Sequence, residues 1–261
     1  MPRFKLTIEY DGSRYRGWQF QREVPTVMGK LMDAIKEVYT KKDYELYGSG
    51  RTDAGVHALA QVAHLDIDST VTPNTAITRL NDALPASINI LKIEKAKPNF
   101  HARYDAIARS YVYQISTRKT AFGKDFVWWI KDELDVKSMA EASTLFIGMK
   151  DFKSFGTPEK EGESTLVKLD QLRIFEIDDS ILIHIVGSHF LWKMVRRIVG
   201  TLVEVGKGNL SSNEIEKFFK QYSDIPAKLT APPSGLYLEK VYYPGDKIEE
   251  EPVWLMNVID I

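Results

Sequence analysis

The chain has 261 residues, 44% of them apolar and 27% charged, with a formal net charge of −1. That length supports a sizeable core, as one large domain or as two of roughly 130 residues. There is no cysteine, which excludes disulfides, thiolate metal sites and a catalytic thiol, and fits a reducing compartment.

The opening "MPRFKLTIEYDG" mixes charges into a short alternating run and lacks the apolar core of a signal peptide. No apolar run approaches the roughly 20 residues that span a bilayer. A soluble, cytoplasmic protein with no membrane contact is expected. Near-neutrality gives no global sign of a nucleic-acid partner, so any such reading rests on where the charges lie. They are uneven: residues 101–124 carry five basic groups against one acid, and residues 246–261 carry five acids against one lysine.

Alternation in "FKLTIEY" (Phe4 to Tyr10) predicts a strand, and "DG" at Asp11-Gly12 a turn. A loop with Arg14, Arg16, Trp18 and Gln19 follows. "VMGKLMDAIKEVY" then spaces Val27, Leu31, Ala34, Ile35 and Val38 as one face of an amphipathic helix. "DYELYGSG" reads as a strand entering a glycine-rich loop and "AQVAHLDI" as a strand leaving it. "PNTAITRLNDALP" is a proline-bounded helix and "INILKIEKA" a strand. From "RSYVYQIS" a similar order recurs. "VKSMAEASTLFIG" is a predicted helix, "LDQLRIFEI" and "ILIHIVG" are strands, "WKMVRRIVGTLVEVG" and "SNEIEKFFKQY" are helices, and "GLYLEKVYY" closes as a strand. Several strands follow one another directly, which fits two α+β halves, 1–105 and 106–261, better than a doubly wound sheet.

The most informative stretch is "GSGRTDAGVHA", Gly48 to Ala58. Its glycines do not have the spacing of a dinucleotide fingerprint, a strand rather than a helix follows it, and no Walker lysine is present. The five histidines show no ligand spacing, so neither metal nor cofactor is expected. Gly48 and Gly50 permit positive φ and close approach of a ligand backbone. Arg51 and Asp53 are two apart, so in an extended segment they leave the chain on one side. The guanidinium favours an ionised carboxylate, keeping Asp53 an acceptor and a potential nucleophile. The competing reading is a tight turn in which Asp53 caps backbone amides and Arg51 pairs with it.

Tyr111 and Tyr113 share one strand face and offer a stacking surface for an unpaired base, or else belong to the core. In the helix after Trp192, Met194, Val195, Ile198, Val199, Leu202, Val203 and Val205 fill one half of the wheel. Arg196 falls at the edge of that stripe, where it either reaches toward an acid or snorkels to the surface. Arg197 lies mid-way round the polar face with Glu204.

With these residues in view, the sequence resembles the tRNA pseudouridine synthase A family. The likeness rests on "GRTDAGVHA", "FHARYDA" (Phe100 to Ala106), "RSYVYQI", "DFKSF", "FLWKMVRRIVGTLVEVG" and "APPSGLYLEKVYY", in the family's order and over nearly the whole chain. It implies the pseudouridine synthase fold: two similar α+β halves with a joined, largely antiparallel sheet flanked by helices around a basic cleft. It also implies a cofactor-free homodimer that isomerises uridine at positions 38, 39 and 40 of the tRNA anticodon stem-loop. By the same resemblance Asp53 is the nucleophile and Arg51 stabilises the extruded nucleotide. Tyr111 packs on the base, with its hydroxyl near the proton transfer at carbon 5, Arg196 pairs with the aspartate, and Leu236 walls the uracil pocket. Arg14, Arg16, Arg103, Arg109, Lys193 and Arg197 are candidate phosphate contacts. A non-catalytic RNA-binding module is the alternative, and a glycosidase releasing the base a third reading. Two departures concern tRNA docking: Thr26-Val27-Met28 where the family usually reads Thr-Val-Gln, and the short acidic "GTPEKEGEST" after Phe155.

Overall fold

The computed structural model describes residues 1–40, 43–68 and 72–252. The last nine residues of the acidic tail lie outside the described ones. In chain order the first elements are β1 (Arg3–Tyr10), α1 (Val27–Val38), β2 (Tyr44–Gly48), β3 (His57–Ile67), α2 (Pro73–Ala83) and β4 (Ile88–Lys95). There follow β5 (Ala108–Ser116), β6 (Trp128–Trp129), α3 (Val136–Ser143), β7 (Gly148–Asp151), β8 (Leu166–Ile177) and β9 (Ser180–Gly187). The chain continues through α4 (Met194–Gly206), α5 (Ser212–Lys220) and α6 (Ile225–Lys228) to β10 (Leu236–Tyr242). The fold is mixed α+β with mostly antiparallel strands.

The chain divides into two compact units. Met1–Ile107 and Tyr237–Lys247 form the first, and Ala108–Leu236 with the described residues after Lys247 forms the second. In the first, β1 lies between β4 and β3, antiparallel to both, with Leu6 opposite Ile93 and Ala63. β2 adds antiparallel to β3 with Leu46 opposite Leu65. β10 runs parallel to β3, pairing Tyr237 with His57. Alternation in β1 buries Phe4, Leu6, Ile8 and Tyr10, the face that sequence spacing predicts. Helix α1 buries Val27, Leu31, Ala34 and Ile35, starts at Thr26, whose Oγ1 accepts from Gly29 N at 3.2 Å, and packs on α2. Such an N-cap contributes about 1 kcal/mol.

In the second unit β9 lies between β5 and β8, antiparallel to both, with Ile185 opposite Tyr111 and Leu172. β7 extends the sheet beyond β8, and β6 adds parallel to β5. Several predicted helices come out shorter, two of them where local bonding limits the helix. The one from Val136 stops at Ser143, where the Ser143 and Thr144 hydroxyls donate to the carbonyls of Ala140 and Glu141, both at 2.7 Å, and a 3₁₀ turn carries Phe146 into the core. Side chains that bond the backbone in this way compete with helix continuation. The one expected from Trp192 begins at Met194. Trp192 is held by paired backbone bonds to Thr157 (2.9 and 3.2 Å), and Lys193 adopts the left-handed conformation at φ 61°.

Candidate active site

The Gly48–Ala58 loop is fastened from below and behind. Ser49 N donates to the Val62 carbonyl at 2.7 Å, and Ser49 Oγ to Gln61 Oε1 at 2.7 Å. Gln61 Nε2 in turn donates to the Gly50 carbonyl at 3.2 Å. Thr52 points inward: it is buried, and its hydroxyl shares a 2.8 Å hydrogen bond with Tyr10. The segment before α1 closes over the other side, Trp18 N donating to the Thr52 carbonyl at 3.1 Å and Gly55 N to the Tyr15 carbonyl at 3.2 Å. Buried Thr52 separates Arg51 from Asp53. Arg51 is exposed and Asp53 half-buried.

The positive φ that Gly48 and Gly50 permit is used by neither; in this loop it falls at Gly55 (φ 78°), where the chain turns to enter β3. Gly48 has a packing role: a Cβ there would stand 2.5 Å from the Trp18 indole nitrogen. Gly50 has no atom within 4 Å of a Cβ position. Arg51 Nε donates to Gln19 Oε1 at 3.2 Å, tying the guanidinium to the segment that carries Arg14 and Arg16. Both of those arginines are exposed, as is Arg103 on the turn after Phe100. At the end of the loop, Gly12 N donates to His57 Nδ1 at 3.1 Å, and Asp11 Oδ1 lies 3.3 Å from the same nitrogen. The ring stacks on Tyr237 at 4.7 Å. Burial, with Asp11 adding to it, pushes the Tyr237 hydroxyl well above its ordinary pKa.

The remaining predicted residues belong to the second unit. Tyr111 and Tyr113 share a face of β5 but not an environment. Tyr113 is wholly buried, its hydroxyl donating to the Pro232 carbonyl at 2.8 Å and its pKa raised by burial, so it is core and offers no stacking surface. Tyr111 is half-buried and meets Phe190 edge-on at 4.9 Å. Arg109 Nη1 donates to the Ser188 carbonyl at 3.0 Å. Arg196 Nε donates to the Ala231 carbonyl at 2.7 Å, while Ala231 N returns a bond to the Arg196 carbonyl at 3.0 Å, fixing the base of that side chain. Arg197, expected on the open polar face, is half-buried: its Nη2 reaches Thr157 Oγ1 at 3.4 Å, its Nε is buried without a hydrogen-bond partner among the described residues, and burial lowers its pKa. The Thr157–Trp192 bridge covers that face, which the helical wheel alone does not show. Lys193 lies over the Trp192 ring at 4.2 Å, and Leu236 is buried at the start of β10.

Sequence reasoning missed the roles of Thr52 and Tyr10, which anchor the loop, and of Gln19, which holds Arg51. The alternation around Thr52 carried a signal for the first. The other two are joined to the loop only by folding. Among the described residues no cluster of three or more His, Asp or Glu is placed to hold a metal, and no helix is long and apolar enough to cross a membrane.

One hydrogen-bonded loop thus carries an exposed guanidinium and a half-buried carboxylate two residues apart. A family profile described as tRNA pseudouridine synthase matches residues 6–105 and 142–244. The chain is 41% identical over 250 residues to tRNA pseudouridine synthase A of Rhodopseudomonas palustris, covering 93% of this chain and 100% of that protein. It is 39% identical over 245 residues to tRNA pseudouridine synthase A 2 of Clostridium perfringens (93% and 100%). With the protein of the same name from Clostridium tetani it shares 38% over 243 residues (92% and 98%). The chain belongs to the tRNA pseudouridine synthase family.

Proposed function

We propose that this protein isomerises uridine to pseudouridine at positions 38, 39 and 40 of the tRNA anticodon stem-loop, with Asp53 as nucleophile. The observation that supports the reading is the loop itself: buried Thr52, bonded to Tyr10, anchors a segment in which Arg51 is exposed and Asp53 half-buried. The reaction breaks the bond between N1 of uracil and C1′ of ribose, turns the ring and joins C5 to C1′. C5 loses its proton and N1 gains one, so the overall change is an isomerisation that consumes no co-substrate. One nucleophilic carboxylate opens and closes that cycle, whereas most glycoside hydrolysis needs a pair.

The uridine must leave its stack to reach the carboxylate, at a cost of a few kcal/mol. Arg51 offsets this by holding the extruded nucleotide or its phosphate. Tyr111 packs on the base and serves the proton transfer at C5, Arg196 supplies the basic group of the site, and Leu236 supplies an apolar wall to the uracil pocket. Arg14, Arg16, Arg103, Arg109 and Lys193 contact phosphates. Arg197, half-buried against Thr157, is the weakest of that group. The two units are pseudo-repeats of one α+β plan, and the enzyme works as a cytoplasmic homodimer.

The test uses unmodified tRNA transcripts with wild-type protein and Asp53→Asn, mapping pseudouridine by carbodiimide adducts and primer-extension stops. The expected outcome is stops on the 3′ side of the anticodon stem-loop that Asp53→Asn reduces by roughly a thousandfold or more, with tRNA binding kept. Undiminished modification by Asp53→Asn sinks the mechanism. Stops elsewhere in the tRNA overturn the substrate position, and release of free uracil replaces isomerisation with hydrolysis.

A further inference from the structure

The first unit holds a cavity of about 440 Å³ that ends at Arg51 and does not include Asp53. Met28, Glu45, Tyr47, Arg51, Arg103 and Tyr104 line it. That volume lies in the range of small-molecule sites. The rings around it are unusually open for their size: Tyr104 is 77% exposed and Tyr47 is 51% exposed. Neither sits on a loose segment. Tyr47 belongs to β2 and stacks on His64 at 5.3 Å, with 17° between the planes. Tyr104 lies 4.3 Å from His101.

The turn that presents Tyr104 is bolted down at several points. His101 Nδ1 accepts from the backbone N–H groups of Arg103 (3.1 Å) and Tyr104 (3.3 Å), and Asp105 Oδ2 accepts from His101 N at 2.9 Å. Ala102 is buried between His64 Nδ1, which accepts from its N–H at 3.2 Å, and Tyr243, whose hydroxyl donates to its carbonyl at 2.7 Å. Both imidazoles therefore use Nδ1 as an acceptor and stay neutral, with burial lowering both pKa values. The positive charge at the cavity comes from two arginines, which do not titrate. Rigid exposed rings flanked by guanidinium groups are how proteins seat an unpaired base and its phosphate. Glu45 adds an acceptor for a base N–H.

We propose that this cavity seats a second, unpaired nucleotide of the RNA substrate, its base on Tyr104 and Tyr47 and its phosphate between Arg51 and Arg103. The inference rests on the tRNA reading above. Arg51 and Asp53 are two residues apart, roughly 7 Å along an extended chain, so the occupant is a neighbour of the reacting uridine.

Filter binding of an unmodified tRNA transcript to the full-length protein, beside single-turnover pseudouridine formation at saturating protein, tests this. Tyr104→Ala is expected to weaken binding about tenfold while lowering the saturating rate far less, and Tyr104→Phe to restore affinity. Arg103→Gln is expected to flatten the slope of log affinity against log salt by about one. Wild-type affinity in a folded Tyr104→Ala overturns the proposal, as does a Tyr104→Phe that binds as poorly as the alanine variant. So does a fall in saturating rate at unchanged affinity, which would assign the cavity to the reacting uridine. If the wild type makes no pseudouridine yet binding still depends on the Tyr104 ring, the isomerase reading fails and the nucleotide cavity stands.

Discussion

Each unit contains a cluster of aromatic rings, and the two are put to different uses. In the second, Phe146, Phe152 and Phe155 are wholly buried and meet Phe218 and Phe219, with centroids 5.0 to 6.3 Å apart and mostly edge-to-face. In the first, Tyr47, His64, Phe100, His101 and Tyr104 sit at similar distances, 4.3 to 6.4 Å, yet two of the rings stand largely in water. The spacing is the same but the chemistry is not. The phenylalanine cluster has no polar atom to satisfy, so it excludes water and contributes to stability through packing. The tyrosine and histidine cluster uses its polar atoms to fasten a turn and leaves ring faces open. That arrangement gives up buried apolar area and retains a recognition surface.

The largest expected effect lies in the dry cluster. Phe155→Ala should destabilise the protein by about 3–5 kcal/mol, because the cavity it leaves is walled by other rings that cannot collapse into it. Tyr104→Ala should stay within about 0.5 kcal/mol. Urea denaturation of both variants checks the contrast, and comparable losses would mean that the open cluster is core as well.

A titration sharpens the comparison, since only the first cluster holds ionisable rings. His64 falls from an ordinary 6.5 to about 4, chiefly through burial, with Arg3 adding to it. Between those values the unfolded chain binds more protons than the folded one. The His64 contribution to stability therefore rises with pH across the window and is lost as pH falls through it, levelling off below about 4. The loss should be roughly 1–3 kcal/mol. Denaturant midpoints from pH 7 to pH 4 measure it. His64→Gln, which keeps an acceptor for Ala102 N, should flatten the profile, and an unchanged slope in that variant would refute the assignment.

A smaller loss than that at Phe155 concerns a single hydroxyl. Tyr113→Phe deletes the donor to the Pro232 carbonyl and should cost about 1 kcal/mol, with no change in tRNA affinity. Weakened RNA binding at unchanged stability would return Tyr113 to the list of base-stacking residues.

Much of this was legible in the sequence. The buried face of β1, the core stripe of α1 and the apolar half of α4 follow from spacing alone, because each is fixed by a local period. Buried Thr52 between exposed Arg51 and half-buried Asp53 also follows alternation. The sequence did not show Arg197 drawn in against Thr157, or Gly48 seated on Trp18. It did not separate Tyr113 from Tyr111, and it left Tyr104 an unremarked letter in "FHARYDA". In each case the partner lies far along the chain, and the residue's identity does not say which neighbour folding will bring to it. The sequence by itself determined most of the longer elements and the family, since these depend on local period and ordered motifs. The tertiary structure alone decided which rings are dry and which are open, because burial depends on contacts between residues distant along the chain.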